Sequence, residues 1–227
     1  MIGIIAAMEE EMLEIKKIMK KEKENTIHGL LCLEGNVQGK PIVLVQGGVG
    51  KVNAARTAQI LIDHYEIEYM VNVGSAGTSK SNIHIGDIVI GKRMVQHDFD
   101  ITAFGHPKGY ITGIGRELMM DEGLLTKYKT AIQKVNTGFQ TIIGTIASGD
   151  IFCTDSEKTK QIEKEFDADA VEMEGAAIAQ VCKLSGIPWV ILRSISDVAN
   201  GENAEVHEHY LQRVSERCAA ILKEAIC

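Results

Sequence analysis

The run Val190-Ile191-Leu192-Arg193-Ser194-Ile195-Ser196-Asp197 constrains this chain more than any other stretch. It is apolar and β-rich with little alternation, so it reads as a strand buried on both faces, in a sheet covered by helices. The turn signal Gly186-Ile187-Pro188-Trp189 precedes it. Its closing carboxylate, Asp197, falls at the strand's carboxyl end, where α/β sheets hold ligands. A second run, Val171-Glu172-Met173-Glu174-Gly175, has the same form and breaks into the helical pattern of residues 175–182, which places Glu174 in a first helical turn. Unpaired N–H groups and the helix dipole favour an anion there. Taken alone, Glu174 reads equally as a first-turn acid, and Asp197 as a cap or turn residue.

The rest of the chain repeats the theme. Residues 1–8 form an apolar first strand, and residues 9–23 carry Met12, Ile15, Ile18 and Met19 at helical spacing. Residues 26–33 and 41–46 read as a hairpin turning through residues 35–39. Gly47-Gly48-Val49-Gly50-Lys51 then opens a helix over residues 52–65. A strand at 69–73 runs into a glycine-bracketed turn, Gly74-Ser75-Ala76-Gly77, and a longer one covers 87–96. Residues 97–115 lack a clear period and read as a long loop, a lid or a subunit contact. A helix over 117–135, a strand over 141–147, a helix over 155–166 capped by Asp155 and a closing helix over 204–227 complete the order. This alternation predicts a mixed, mostly parallel sheet covered by helices, in one domain spanning residues 1–227.

Composition narrows the partners. A net charge of -7 and a pI near 5.5 argue against nucleic acid and anionic membranes. The lysine-rich run from Lys16 to Lys23 is interleaved and flanked by Glu14, Glu22 and Glu24 and reads as a solvated helix face. Five cysteines, at 32, 153, 182, 218 and 227, show no metal-ligand spacing and form an odd set, which suits a reducing cytoplasm rather than a disulfide framework. The apolar amino terminus lacks a basic region and runs into Glu9-Glu10-Glu11, so neither a targeting nor a spanning segment is expected.

The Met-Glu pair at 173–174 and the Ser-Asp pair at 196–197, each closing a strand, resemble the signature of the nucleoside phosphorylase and nucleosidase superfamily. The resemblance is closest to the 5′-methylthioadenosine/S-adenosylhomocysteine nucleosidases, and its motifs recur in order from residue 1 to about 200. It implies a single-domain three-layer α/β/α fold around a central mixed, mostly parallel sheet, a cofactor-free and metal-free hydrolase, and a cytoplasmic homodimer acting on small adenine nucleosides. Glu11, last acid of Met8-Glu9-Glu10-Glu11, would activate the hydrolytic water with help from Ser75 and Arg193. Phe152 would stack on adenine and the Cys153 backbone would bond its edge. Met173 would lie on the ribose, and Glu172 and Ser196 would join the substrate contacts. Met8, Val49, Ile101 and Phe104 would line the pocket for the 5′ group, with Phe104 reaching from a neighbouring subunit. The family phosphorylases place a phosphate-clamping arginine where this chain has Asn72.

The chemistry fits these residue types. Cleaving a purine N-glycosidic bond needs an acid for the leaving base, anionic surroundings for an oxocarbenium-like sugar and an activated nucleophile. Asp197, its pKa raised by desolvation, would protonate N7, and Glu174 would bind the ribose hydroxyls. After residue 200 the likeness weakens: Val206-His207-Glu208-His209-Tyr210 stands where relatives carry an aromatic, so His207 is either a surface histidine or a polar neighbour of the 5′ group. Three alternatives remain at this point: a nucleosidase for another adenine nucleoside such as aminodeoxyfutalosine, a purine nucleoside phosphorylase, and a non-catalytic adenosine-binding module.

Overall fold

The computed structural model describes the backbone of residues 1–135, 138–153, 155–198 and 204–226, and their side chains except at 197–198, 204–212 and 214. Strand β1 (Ile2–Ala6) is wholly buried and leads into α1 (Glu9–Ile18). That helix is shorter than the periodicity predicts. From Lys20 onward charges leave no apolar stripe to bury, and the chain extends into β2 (Lys20–Ile27). Strands β3 (Leu30–Val37) and β4 (Lys40–Gln46) follow, so the expected single hairpin is a three-stranded meander. Its turns, His28-Gly29 and Gln38-Gly39, have φ of 48°, 82°, 50° and 85°. Positive φ at both central residues is what two-residue type I′ hairpins require.

Helix α2 (Lys51–His64) leads to β5 (Tyr69–Thr78), which runs straight through Gly74-Ser75-Ala76-Gly77. Those residues are strand, not the predicted turn. After β6 (Ile88–Gln96) the predicted loop contains one short 3-10 turn, Thr102–Phe104, before the two-residue β7 (Leu118–Met119). The order closes with α3 (Glu122–Val135), β8 (Thr141–Ser148), α4 (Ser156–Phe166), β9 (Ala170–Glu172), α5 (Gly175–Ser185), β10 (Trp189–Val198) and α6 (Ala204–Ile226).

The sheet is mixed. Strands β4, β1, β5 and β10 are mutually parallel neighbours, and β6, β8 and β9 form a second parallel set. Antiparallel contacts join the sets at β10–β6 and β5–β9, so the sheet curls until β5, β10, β6, β8 and β9 close a ring. Sequence pattern does not carry this closure, because β9 meets β5 only through Gly77 and Val171. Helix α6 packs on α1 and α3, and α2 packs on α5, forming the layers around a core of residues such as Ile4, Leu44, Val71 and Ile191, all fully buried. Burying each such side chain contributes about 1.5–3 kcal/mol.

Helix α4 starts as predicted: the Asp155 carboxylate accepts from the Glu157 amide at 2.9 Å. Asp155→Ala is expected to cost about 1 kcal/mol and lower the melting temperature by roughly 2–4 °C, with Asp155→Asn close to wild type. Thermal unfolding followed by circular dichroism tests this, and equal losses in both variants would remove the cap from the account.

Candidate active site

The carboxyl ends of β1, β5 and β9, with the loops after β4 and β8, surround a cleft of about 750 Å³ including its open mouth. Of the residues singled out from sequence, Met8, Glu11, Val49, Ser75, Phe152, Cys153, Glu172, Met173 and Glu174 line it. Ala7, Ala76, Gly77, Thr78, Ile151, Thr159 and Val171 line it as well, and sequence reasoning missed them. Thr159 belongs to α4, far along the chain, and no local pattern marks it.

Glu11 is the third residue of α1 and is 3% exposed. Its Oε2 accepts from the amides of Ala7 at 2.9 Å and Met8 at 3.2 Å, closing the open end of its own helix. Its Oε1 accepts from the Ser75 amide at 3.0 Å and the Ser75 hydroxyl at 3.5 Å. Burial raises its pKa, and the Arg193 charge and the amides of Ser75, Met8 and Ala7 offset this only in part. Glu9 and Glu10, by contrast, are exposed first-turn acids, as their position predicts.

Arg193 is expected beside the nucleophile, but it is 1% exposed and lies behind the cleft lining. Its Nη2 donates to Glu172 and, at 2.5 Å, to Asn72 Oδ1, its Nη1 donates to the Leu192 carbonyl at 3.1 Å, and Glu174 Oε2 is 3.8 Å away. Burial alone would lower its pKa, but the charges of Glu172, Glu174 and Glu11 more than offset that. Asn72 is fully buried and also donates to the Ile5 carbonyl at 2.9 Å. The position that a phosphorylase would use for phosphate is therefore committed to holding Arg193 between strands.

Glu172 reaches the lining, yet protein donors occupy both its oxygens. Ser148 donates to Oε1, and Arg193 and the amides of Glu174 (3.0 Å) and Gly175 (2.8 Å) donate to Oε2. The anion expected at the start of α5 is thus Glu172, while Glu174 is the N-cap residue rather than a member of the first turn. Glu174 Oε1 accepts from the Gly50 amide at 2.8 Å. Burial, then the charge of Glu172, push its pKa up to about 7 against the pull of Arg193 and the Gly50 amide.

Three glycines make room for this. A Cβ on Gly74 would sit 2.8 Å from Glu11 Oε1 and 3.3 Å from Arg193 Nη1. One on Gly175 would meet Met94 at 2.7 Å, and one on Gly149 would meet the buried His97 ring at 2.3 Å. The loops carrying Gly50 and Phe152 are tied together outside the cleft. Lys51 donates from its amide to Asp150 at 2.7 Å and from Nζ to Asp98 at 2.6 Å, and Asp98 accepts from the Asp150 amide at 2.9 Å. Burial would raise the Asp98 pKa, but these bonds win and lower it.

Other expected residues fall elsewhere. Ser196 is 1% exposed and off the lining, because it is the extra residue of a bulge between the Ile195–Ala76 and Asp197–Gly77 pairs. Ile101 and Phe104 do not reach the cleft of their own chain, and Phe104 is 81% exposed. The Asp197 backbone lies opposite Gly77, at the edge of the cleft, and its side chain is outside the described residues, as is that of His207. Among the described residues no group of three His, Cys, Asp or Glu is placed to hold a metal ion.

The model of the phosphorylase superfamily matches residues 1–226. A 5′-methylthioadenosine/S-adenosylhomocysteine nucleosidase of Marinomonas sp. (strain MWYL1) is 39% identical over 226 residues, spanning 99% of this chain and 97% of the relative. The solved structure of such a nucleosidase from Colwellia psychrerythraea 34H in complex with adenine superimposes with a TM-score of 0.94 at 35% identity, covering 99% of this chain and 93% of that one. The native structure of futalosine hydrolase from Helicobacter pylori strain 26695 superimposes with a TM-score of 0.93 at 32% identity, covering 99% and 96%.

The clamp on Arg193 has a measurable consequence. Asn72→Leu keeps the volume but leaves a buried N–H of Arg193 and the Ile5 carbonyl without their partner, a cost of about 2–4 kcal/mol. Urea unfolding should show the midpoint falling at unchanged slope. An unfolding free energy within about 0.5 kcal/mol of wild type would mean the clamp contributes little.

Proposed function

We propose a function from one premise: the chain belongs to the 5′-methylthioadenosine/S-adenosylhomocysteine nucleosidase family of the phosphorylase superfamily. It hydrolyses the N-glycosidic bond of 5′-methylthioadenosine and S-adenosylhomocysteine, releasing adenine and the thio-substituted ribose. The observation that carries hydrolysis over phosphorolysis is the charge of the cleft. Glu11, Glu172 and Glu174 line it, and among the described residues no Lys or Arg does. A phosphate about 4 Å from a carboxylate meets roughly 4 kcal/mol of repulsion per unit charge at an effective dielectric near 20. Neutral water meets none.

In this reading Glu11 takes a proton from the attacking water, a task suited to a carboxylate whose pKa burial has raised. The water oxygen bonds to C1′ as the bond to N9 breaks, and adenine leaves with a proton delivered to N7 by Asp197. The cationic sugar passes close to Glu174, which accepts from the ribose hydroxyls, and to Met173. Phe152 stacks on the base and the Cys153 backbone bonds its edge, while Met8 and Val49 contact the 5′ group. Phe104 would serve the same pocket from a second copy of the chain, which makes a homodimer the working assembly. Its exposure, and that of Val52 at 77%, supports this. No helix among the described residues is long and apolar enough to cross a membrane, and we place the enzyme in the cytoplasm on its cysteine usage. The likeness to a futalosine hydrolase supports one second reading, that aminodeoxyfutalosine is also a substrate.

Adenine release from 5′-methylthioadenosine should proceed in phosphate-free buffer and stay unchanged when phosphate is added. Release that requires phosphate would make this a phosphorylase. Glu11→Gln should lower turnover at least 100-fold. Asp197→Asn should abolish it while a substrate analogue binds within about tenfold of wild type. The same assay with aminodeoxyfutalosine decides the second reading.

The pH profile supplies a further check. Ribose hydroxyls need the ionised Glu174, whose pKa burial and the charge of Glu172 push up to about 7. Hence kcat/KM should fall as pH drops through about 7, and Glu174→Gln should flatten that limb. A limb at the ordinary carboxylate range near 4 would contradict the assignment.

A further inference from the structure

Helix α6 contributes no described side chain to the cleft lining, yet it reaches the backbone on which Glu11 is mounted. Ser215 is fully buried, its hydroxyl donates to the Glu11 carbonyl at 3.0 Å, and the same oxygen accepts from the Glu14 amide at 3.1 Å. One hydroxyl thus holds two backbone groups of α1, 201 and 204 residues away, the second on the residue that carries the carboxylate. Three positions on, and so on the same helical face, Cys218 is 3% exposed and lies close enough to Glu11, Arg193 and the Gly74 amide for each to act on its thiol, whose pKa burial pushes up to about 12. Gly74 precedes Ser75, the donor to Glu11 Oε1. Ser215 therefore fixes the helix bearing the carboxylate, and Cys218 lies beside the strand bearing its partner.

We propose that Ser215, seconded by Cys218, is a positioning residue for catalysis, setting the distance between the Glu11 carboxylate and the Ser75 donors from behind the cleft. This rests on the reading of Glu11 as the base. The physical reason is the narrow tolerance of proton transfer: a displacement of about 1 Å at a reacting group can cost on the order of 100-fold. Without the bridge α1 is free to shift on β5. Glu11 then loses part of the amide bonding that opposes burial, so its proton is held more tightly and a smaller fraction is ionised at neutral pH.

The test compares Ser215→Ala, Cys218→Ala, Ile221→Val and Glu11→Gln in the full-length protein. Ile221 is equally buried in α6 but bonds to nothing in the Glu11 mount, so its variant reports loosening of the helix alone. Ser215→Ala is expected to lower kcat about tenfold with KM within twofold, and to move the acid limb of the kcat profile to higher pH. Ile221→Val is expected to lower the melting temperature and leave the profile in place. Cys218→Ala is expected to shift the limb in the same direction by less, and it carries the test if Ser215→Ala does not fold. An unmoved limb in whichever of these two variants folds would overturn the proposal, as would an equal shift in Ile221→Val. Near-normal turnover in Glu11→Gln would instead sink the reading of the base. Inactive Glu11→Gln beside a wild-type profile in Ser215→Ala would sink the positioning role alone.

Discussion

A guanidinium with almost no access to water governs this structure. Isolated in the interior, Arg193 would be prohibitively unstable, and a buried charge survives only when paired and fully hydrogen-bonded. Three carboxylates and one amide answer that demand, and each comes from a different place: Glu172 and Glu174 from the end of β9 and the start of α5, Glu11 from α1, Asn72 from β5. Ser148 of β8 extends the network by donating to Glu172 and accepting from the Ala176 amide at 2.7 Å. The positions of four strands and two helices are thus coupled to one side chain. The cleft inherits its negative wall from the same arrangement, since carboxylates needed inside to neutralise Arg193 turn part of their charge outward.

Sheet closure makes that coupling possible. An open sheet in strand order would keep β9 and β10 on separate ribs, whereas the ring of β5, β10, β6, β8 and β9 sets Glu172 against Arg193. Close approach of charged groups also needs missing side chains. Gly74 and Gly175 are strand and helix residues for which a methyl group would displace the network, although each gives up propensity to the backbone it sits in.

Much of this was legible in the residues. The apolar runs 190–196 and 69–73 announced strands because continuous apolar, β-branched stretches of that length suit a sheet covered on both faces, and Asp155 announced a helix start by its cap chemistry. Of the site, Glu11, Ser75, Phe152 and Glu174 were nameable by motif and do share one cleft. What escaped notice depends on tertiary register. Asn72 was legible as an arginine not present and illegible as the partner of Arg193, because that contact is set by the pairing of β1, β5 and β10. Gly74-Ser75-Ala76-Gly77 looked like a turn by local propensity, and the strand won because neighbouring strands saturate its hydrogen bonds. Arg193 and Ser196 were expected among the substrate contacts from the family resemblance, which shows neither the burial of Arg193 behind the lining nor the bulge that changes the register at Ser196.

Strand β2 carries one more implication. It ends the sheet, and seven of its eight residues are exposed, among them Lys20, Lys21, Glu22, Lys23 and Glu24. A bare edge is a template for another chain's backbone, and dense charge with a bulge near Lys21 is how such an edge is kept from being extended. The meander therefore behaves as a terminator of sheet growth. Encounters between copies are thereby steered away from edge-to-edge stacking at this end of the sheet.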